Sequence, residues 1–139
     1  MKDKKSIIRP EVDEDAGFRC GNVTGWMLNE YILVLRFMSP SITMQEVNDA
    51  IEIRHALVPE NMPFYGLIES IGTKSSEPET RRIAPDPLAR RIALIYKSPV
   101  GRMLGNAYLR IMPPKCPIRL FANRQDGLKW LTEAGPPTL

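Results

Sequence analysis

Residues 92–134 decide the fold: the apolar run Ile92-Ala93-Leu94-Ile95-Tyr96, the pair Ser98-Pro99, the apolar run Pro117-Ile118-Arg119-Leu120-Phe121, and Asn123 ahead of Leu128, Trp130 and Leu131. Each run is short, rich in branched or aromatic residues and closed by a turn signal, so each reads as a strand. Ser98 suits a helix cap and Pro99 the first helical position, which predicts a helix from there to about Met112. Pro113-Pro114 closes it. Asn123 with Asp126 predicts a second capped helix, and Gly135 is a good stop for it. Strands alternating with helices at this spacing mean a mostly parallel sheet with helices packed on it.

Upstream, Val23–Leu28 and Tyr31–Phe37 are apolar runs separated only by Asn29-Glu30, which predicts an antiparallel hairpin. By alternation Tyr31, Leu33, Leu35 and Phe37 share one face, and Ile32 and Val34 share the other with Arg36. Both faces are apolar, so this strand belongs inside a sheet covered on both sides. Thr43 and Glu46 form a capping box. Val47, Ala50, Ile51, Arg54, Leu57 and Val58 follow at helical spacing, and Pro59 ends the helix. Phe64–Ile68 reads as a short buried strand. Gly72–Pro87 is polar, with a short helix expected around Glu79–Ile83 and a turn at Asp86. The expected order is β-β-α-β-α-β-α-β-α: an α/β fold with a mixed, mostly parallel five-stranded sheet, an N-terminal antiparallel hairpin and about four helices.

The chain has 139 residues, 43% of them hydrophobic, enough for one core. Residues 1–17 are charged and without period, and read as a loosely ordered tail. Residues 18–139 read as a single domain. No apolar run nears the roughly 18 residues that span a bilayer. The basic start, Met1-Lys2-Asp3-Lys4-Lys5, has no apolar stretch behind it, so no signal peptide is expected and a cytoplasmic location is. Cys20 and Cys116 lie far apart, and with the single His55 they make no usual zinc set, so reduced thiols and no metal are expected. Residues 1–80 hold 8 Lys and Arg against 13 Asp and Glu, net −5, while residues 81–139 hold 11 against 3, net +8. Such halves suit a face for anions or for an acidic partner, and a weak homodimer in which they meet is one expectation.

The element order resembles the STAS fold of anti-sigma-factor antagonists, and in particular single-domain bacterial proteins of SpoIIAA-like type. The likeness covers about residues 20–134. It rests on Ala89-Arg90-Arg91-Ile92-Ala93, Ser98-Pro99-Val100-Gly101-Arg102, Leu104-Gly105-Asn106-Ala107-Tyr108-Leu109, Arg119-Leu120-Phe121 and Gly127-Leu128-Lys129-Trp130-Leu131. It implies a non-enzymatic regulatory or protein-interaction module. Phosphorylatable antagonists carry Asp-Ser-Ser/Thr-Gly where the third strand meets the next helix. Here that junction reads Glu69-Ser70-Ile71-Gly72-Thr73-Lys74-Ser75-Ser76-Glu77, so the motif is absent, although Ser75 and Ser76 place hydroxyls where phosphorylation would be expected.

No catalytic constellation is present: no HExxH, Walker loop, GxGxxG or defensible nucleophile triad. His55 sits near a helix end, where a cation is favoured, which makes it a capping or solvent-facing residue rather than a base. Trp130 and Tyr108 fall among helical apolar residues and read as core. Gly101 and Gly105, one turn apart, fit close packing of a helix on the sheet. Alternatively Ser98, Gly101 and Arg102 form an anion or small-ligand site, with helix amides and a guanidinium at a strand's carboxyl end. No cofactor is expected. Arg81-Arg82 and Arg90-Arg91 are pairs without interleaved aromatics, so nucleic acid is not an expected partner.

Overall fold

The computed structural model describes residues 17–39, 41–70, 75–76, 86–99, 101–103, 106 and 116–138. The expected charged tail, the helix around Glu79–Ile83, Gly105 and Tyr108 lie outside the described residues. The strands are β1 (Phe18–Cys20), β2 (Val23–Met27), β3 (Ile32–Phe37), β4 (Ser41–Ile42), β5 (Phe64–Ser70), β6 (Ser75–Ser76), β7 (Ala89–Ile95) and β8 (Ile118–Phe121); the complete helices are α1 (Met44–Leu57) and α2 (Arg124–Glu133). A further helical stretch opens at Pro99.

The main sheet has six strands in the order β1-β2-β3-β5-β7-β8. The expected hairpin is β2–β3, paired antiparallel from Val23↔Phe37 to Met27↔Leu33. Its turn is held by Asn29, whose Oδ1 accepts from the amides of Tyr31 and Ile32 at 2.8 and 2.9 Å. From β3 onward every pairing is parallel. The sheet has six strands and not the expected five because β1 adds antiparallel to β2, from Phe18↔Gly25 to Cys20↔Val23. Three residues are too few to show a period of two, so this strand left no pattern. Gly21 makes the β1–β2 turn at φ 59°, a conformation glycine adopts without steric cost. A separate two-stranded parallel sheet joins β4 and β6.

The alternation read along β3 is realised. Ile32 and Val34 face one core with Trp26, Tyr65, Leu67, Ala93 and Ile95, closed by Leu131 of α2 and bordered by Trp130. Leu33 and Phe37 face the other side, where Ile53 and Val58, on and just beyond α1, close it. The sheet is thus covered on both faces, α1 on one and α2 on the other.

The local signals act as expected. Thr43 caps α1 in a complete capping box with Glu46, and the helix yields at Val58 ahead of Pro59. The Thr43 hydroxyl, the largest influence, holds the Glu46 carboxyl below its ordinary range against the effect of burial. Asn123 caps α2 by accepting from the Asp126 amide at 2.8 Å, and Gly135 follows the helix at φ 71°. The buried face of α1 is rotated from the apolar spacing: Ile51 is 41% exposed, while Ile53 is fully buried beside Glu46, Asp49 and Arg54. Arg54 is satisfied there by Asp86, 2.5 Å from its Nε, and by the face of Phe64. Asp86 also accepts from the Leu88 amide, which forms the expected turn.

Candidate functional site

β7 and β8 run in register as far as Ile95↔Phe121, and the Tyr96 amide continues the ladder to the Phe121 carbonyl at 3.0 Å. The two chains then part. One continues as Lys97-Ser98-Pro99 into the helical stretch, the other as Ala122-Asn123 into α2. Ser98 caps the first of these: its Oγ accepts from the Gly101 amide at 3.0 Å, and its carbonyl accepts from the Arg102 amide at 3.0 Å.

A pocket of about 660 Å³ opens between the two departing chains. Lys97 and Arg102 supply its charge, Ser98 and Asn106 its neutral polar groups, and Tyr96, Pro99, Met103 and Ala122 its apolar wall. None of these lining residues is acidic. Lys97 and Arg102 are both exposed, and neither makes an ion pair among the described residues. The Arg102 guanidinium lies 5.9 Å from the centre of the Tyr96 ring. Met103 is 70% exposed, the largest exposure among the big apolar side chains described.

The expected trio Ser98, Gly101 and Arg102 is therefore brought together at the carboxyl end of the sheet. Their roles differ. Ser98 spends its hydroxyl on the cap, and Arg102 lines the pocket. Gly101 is not demanded by packing: a Cβ there would lie 3.4 Å from Ser98 Oγ and 3.6 Å from Tyr96 Cβ, ordinary contact. Met103 and Ala122 join the pocket without a sequence signal of their own. Ser75 and Ser76 form β6, which pairs with Ser41 and Ile42. His55 is exposed on the last turn of α1.

A second charged group stands nearby, at the carboxyl ends of β3 and β5. Glu69 is fully buried. Its oxygens accept from Arg36 Nη2 at 3.0 Å and from Arg124 Nε and Nη2, each at 2.8 Å. Both guanidiniums also face the Trp26 ring, at 5.7 and 5.5 Å. Burial pushes the Glu69 carboxyl up, but the hydrogen bonds and charge of Arg124, then of Arg36, outweigh it and hold the group below its ordinary range. Glu69 is a strand residue that ties the start of α2 to the sheet.

Two further clusters complete the polar chemistry. Cys20 Sγ donates to Asp49 Oδ1 at 3.4 Å and to Glu52 Oε2 at 3.2 Å. Burial first, then these two acceptors and their charge, push the thiol up to about 12. The Cys20 sulfur and the Asp49 and Glu52 carboxylate oxygens lie within 4.8 Å of one another, and the contact locks β1 to α1. The Cys116 thiol is also raised, by burial, with Arg90 opposing. On the opposite flank Arg91 lies over Trp130 at 4.8 Å and donates to its carbonyl at 2.9 Å, while Arg119 lies over Phe121 and Trp130 at 5.3 and 5.6 Å. No helix among the described residues is long and apolar enough to cross a membrane.

The architecture has a solved counterpart. A Shewanella loihica PV-4 protein of the DUF3478 family, described as having a SpoIIAA-like fold, superposes with a TM-score of 0.56 at 13% identity, over 81% of this chain and 96% of that one. The chain thus has the SpoIIAA-like fold. It belongs to the DUF7793 family, a domain of unknown function, whose pattern spans residues 26–134. No curated protein matches the sequence.

Proposed function

We propose that the chain is a non-enzymatic interaction module of STAS type, and that the pocket at Lys97, Ser98 and Arg102 receives an anionic group presented by a protein partner. The observation that carries this reading is a pair of cations without ion-pair partners among the described residues, lining one pocket whose described wall holds no acidic residue. Cations left in solvent cost nothing by themselves. Two of them converging on a concavity create a local positive potential that attracts anions and speeds their encounter. The exposed thioether of Met103 beside them adds an apolar contact. Such a contact rewards a polypeptide carrying an acid and an apolar side chain more than a bare ion.

A small-anion site is the second reading, favoured by the same two cations. Calorimetry separates the two, with inorganic phosphate in one arm and an acidic peptide containing one apolar residue in the other. The peptide is expected to bind the wild type, and Arg102→Ala to weaken it by about 1–3 kcal/mol, the cost of leaving a hydrogen-bonding partner unsatisfied. Phosphate binding as tightly as the peptide selects the small-anion reading. Absence of both heats removes the site.

A further inference from the structure

We infer that the acidic run Glu11-Val12-Asp13-Glu14-Asp15 of one copy occupies the Lys97–Arg102 pocket of a second copy, so that the molecule covers its own interaction site by self-association. This rests on the reading of that pocket as an anion-accepting contact site.

Three observations lead to it. The first is chemical fit. The run carries four carboxylates in five residues with Val12 among them, and the pocket presents Lys97 and Arg102 beside Met103 and Pro99. The second is supply: no other five-residue window of the chain holds four acids. The third is reach. The run lies just before Gly17, which leads directly into β1 at one edge of the sheet, and the pocket lies at the ends of β7 and β8 at the other edge. With strands about 4.8 Å apart, β7 and β8 are about 19 and 24 Å from β1. Asp13 is four residues before Gly17 and, fully extended, reaches at most about 14 Å from it. The backbone at Asp13, Glu14 and Asp15 therefore falls short of the β7 and β8 strand ends of its own copy, whereas a second copy can present the run without that limit. Two copies can do so reciprocally, which closes the contact as a twofold dimer. The contact is electrostatic and exposed, so it is weak and salt-sensitive, and an external partner with a better acidic segment displaces it.

Sedimentation equilibrium of the full chain in 50 and 500 mM NaCl tests this, together with two charge variants whose far-ultraviolet circular dichroism matches the wild type. The wild type is expected to associate in low salt and to separate in high salt. E11Q/D13N/E14Q/D15N and K97Q/R102Q should each weaken association at least tenfold. An equal mixture of the two variants should recover dimer, because a mixed pair retains one intact run and one intact pocket. Association of the quadruple variant at wild-type strength overturns the inference, as does a wild type that stays monomeric in both salts. A fluorescein-labelled peptide of residues 9–17 separates this failure from that of the site itself. If it binds the wild type but not K97Q/R102Q while the wild type stays monomeric, the pocket stands and its natural occupant is an external acidic segment. If it binds neither, both readings fall.

Discussion

Two groups of basic side chains stand at the carboxyl end of the sheet, and they are built in opposite ways. Around Glu69, Arg36 and Arg124 share one fully buried carboxylate and press on Trp26. Around Ser98, Lys97 and Arg102 are exposed and unpaired among the described residues. The first group directs its charge at a carboxylate inside the fold. The second presents its charge to solvent. The +8 of the C-terminal half is therefore not one basic face. Arg91 and Arg124 are occupied in holding α2 to the sheet, while Lys97 and Arg102 stand exposed at the pocket.

Glu69→Gln removes the centre of the buried group. Removing one partner of a buried ion pair leaves uncompensated charge and costs about 3–5 kcal/mol. The Arg124 side chain is 31% exposed, so water relieves part of that penalty and the lower end applies. Urea denaturation should show this loss. A variant as stable as the wild type would mean the clasp is not what anchors α2. The pocket variant K97Q/R102Q, by contrast, should unfold within about 0.5 kcal/mol of the wild type, as surface changes usually do.

The same contrast has a pH signature. The Glu69 carboxyl is held below its ordinary value of 4.5. A group depressed in the folded state contributes stability that is fully present above the unfolded value and is lost as pH falls through the folded one. The stability gap between wild type and Glu69→Gln should therefore be flat above about pH 4.5 and shrink as the solution is made more acid. Denaturation series between pH 3 and 7 read this directly. A gap unchanged to the acid end would show that Glu69 does not titrate differently in the fold.

How far each region was legible follows from how local its determinants are. Thr43 with Glu46, Asn123 with the Asp126 amide, and Ser98 with the Gly101 amide are contacts two or three residues apart, and the sequence displays them. The doubly apolar faces of β3 likewise announced a covered sheet. Glu69 meets Arg36 across 33 residues and Arg124 across 55, and no spacing rule reaches that far. Arg36 stood out only as a charge on an otherwise apolar face, which is the one trace such a clasp leaves. In α1 the carboxylates Glu46 and Asp49 share the buried face, so Ile51 of the apolar spacing is exposed and Ile53, outside that spacing, is buried. The pocket was half legible. Its capped end was visible at Ser98-Pro99, whereas Ala122 arrives only through the β7–β8 register.

Arg102→Ala removes one cation of the exposed group. It should leave stability within about 0.5 kcal/mol of the wild type and weaken an acidic peptide roughly five- to hundredfold, which is about 1–3 kcal/mol. Chemical denaturation beside peptide titration gives both numbers from one preparation. Loss of stability without loss of binding would place Arg102 with the structural arginines.

The smallest expected effect concerns Gly101. Its amide donates to Ser98 Oγ, and its missing side chain leaves room at 3.4 Å and beyond. Alanine keeps the amide and removes backbone freedom from the unfolded chain, which in a helix is worth roughly 0.5–1 kcal/mol. Gly101→Ala should therefore raise the denaturation midpoint slightly and leave peptide binding unchanged. If binding falls while the midpoint rises, the ligand's backbone or headgroup must pass against the bare Cα of Gly101. The site would then depend on that glycine as well as on the two cations.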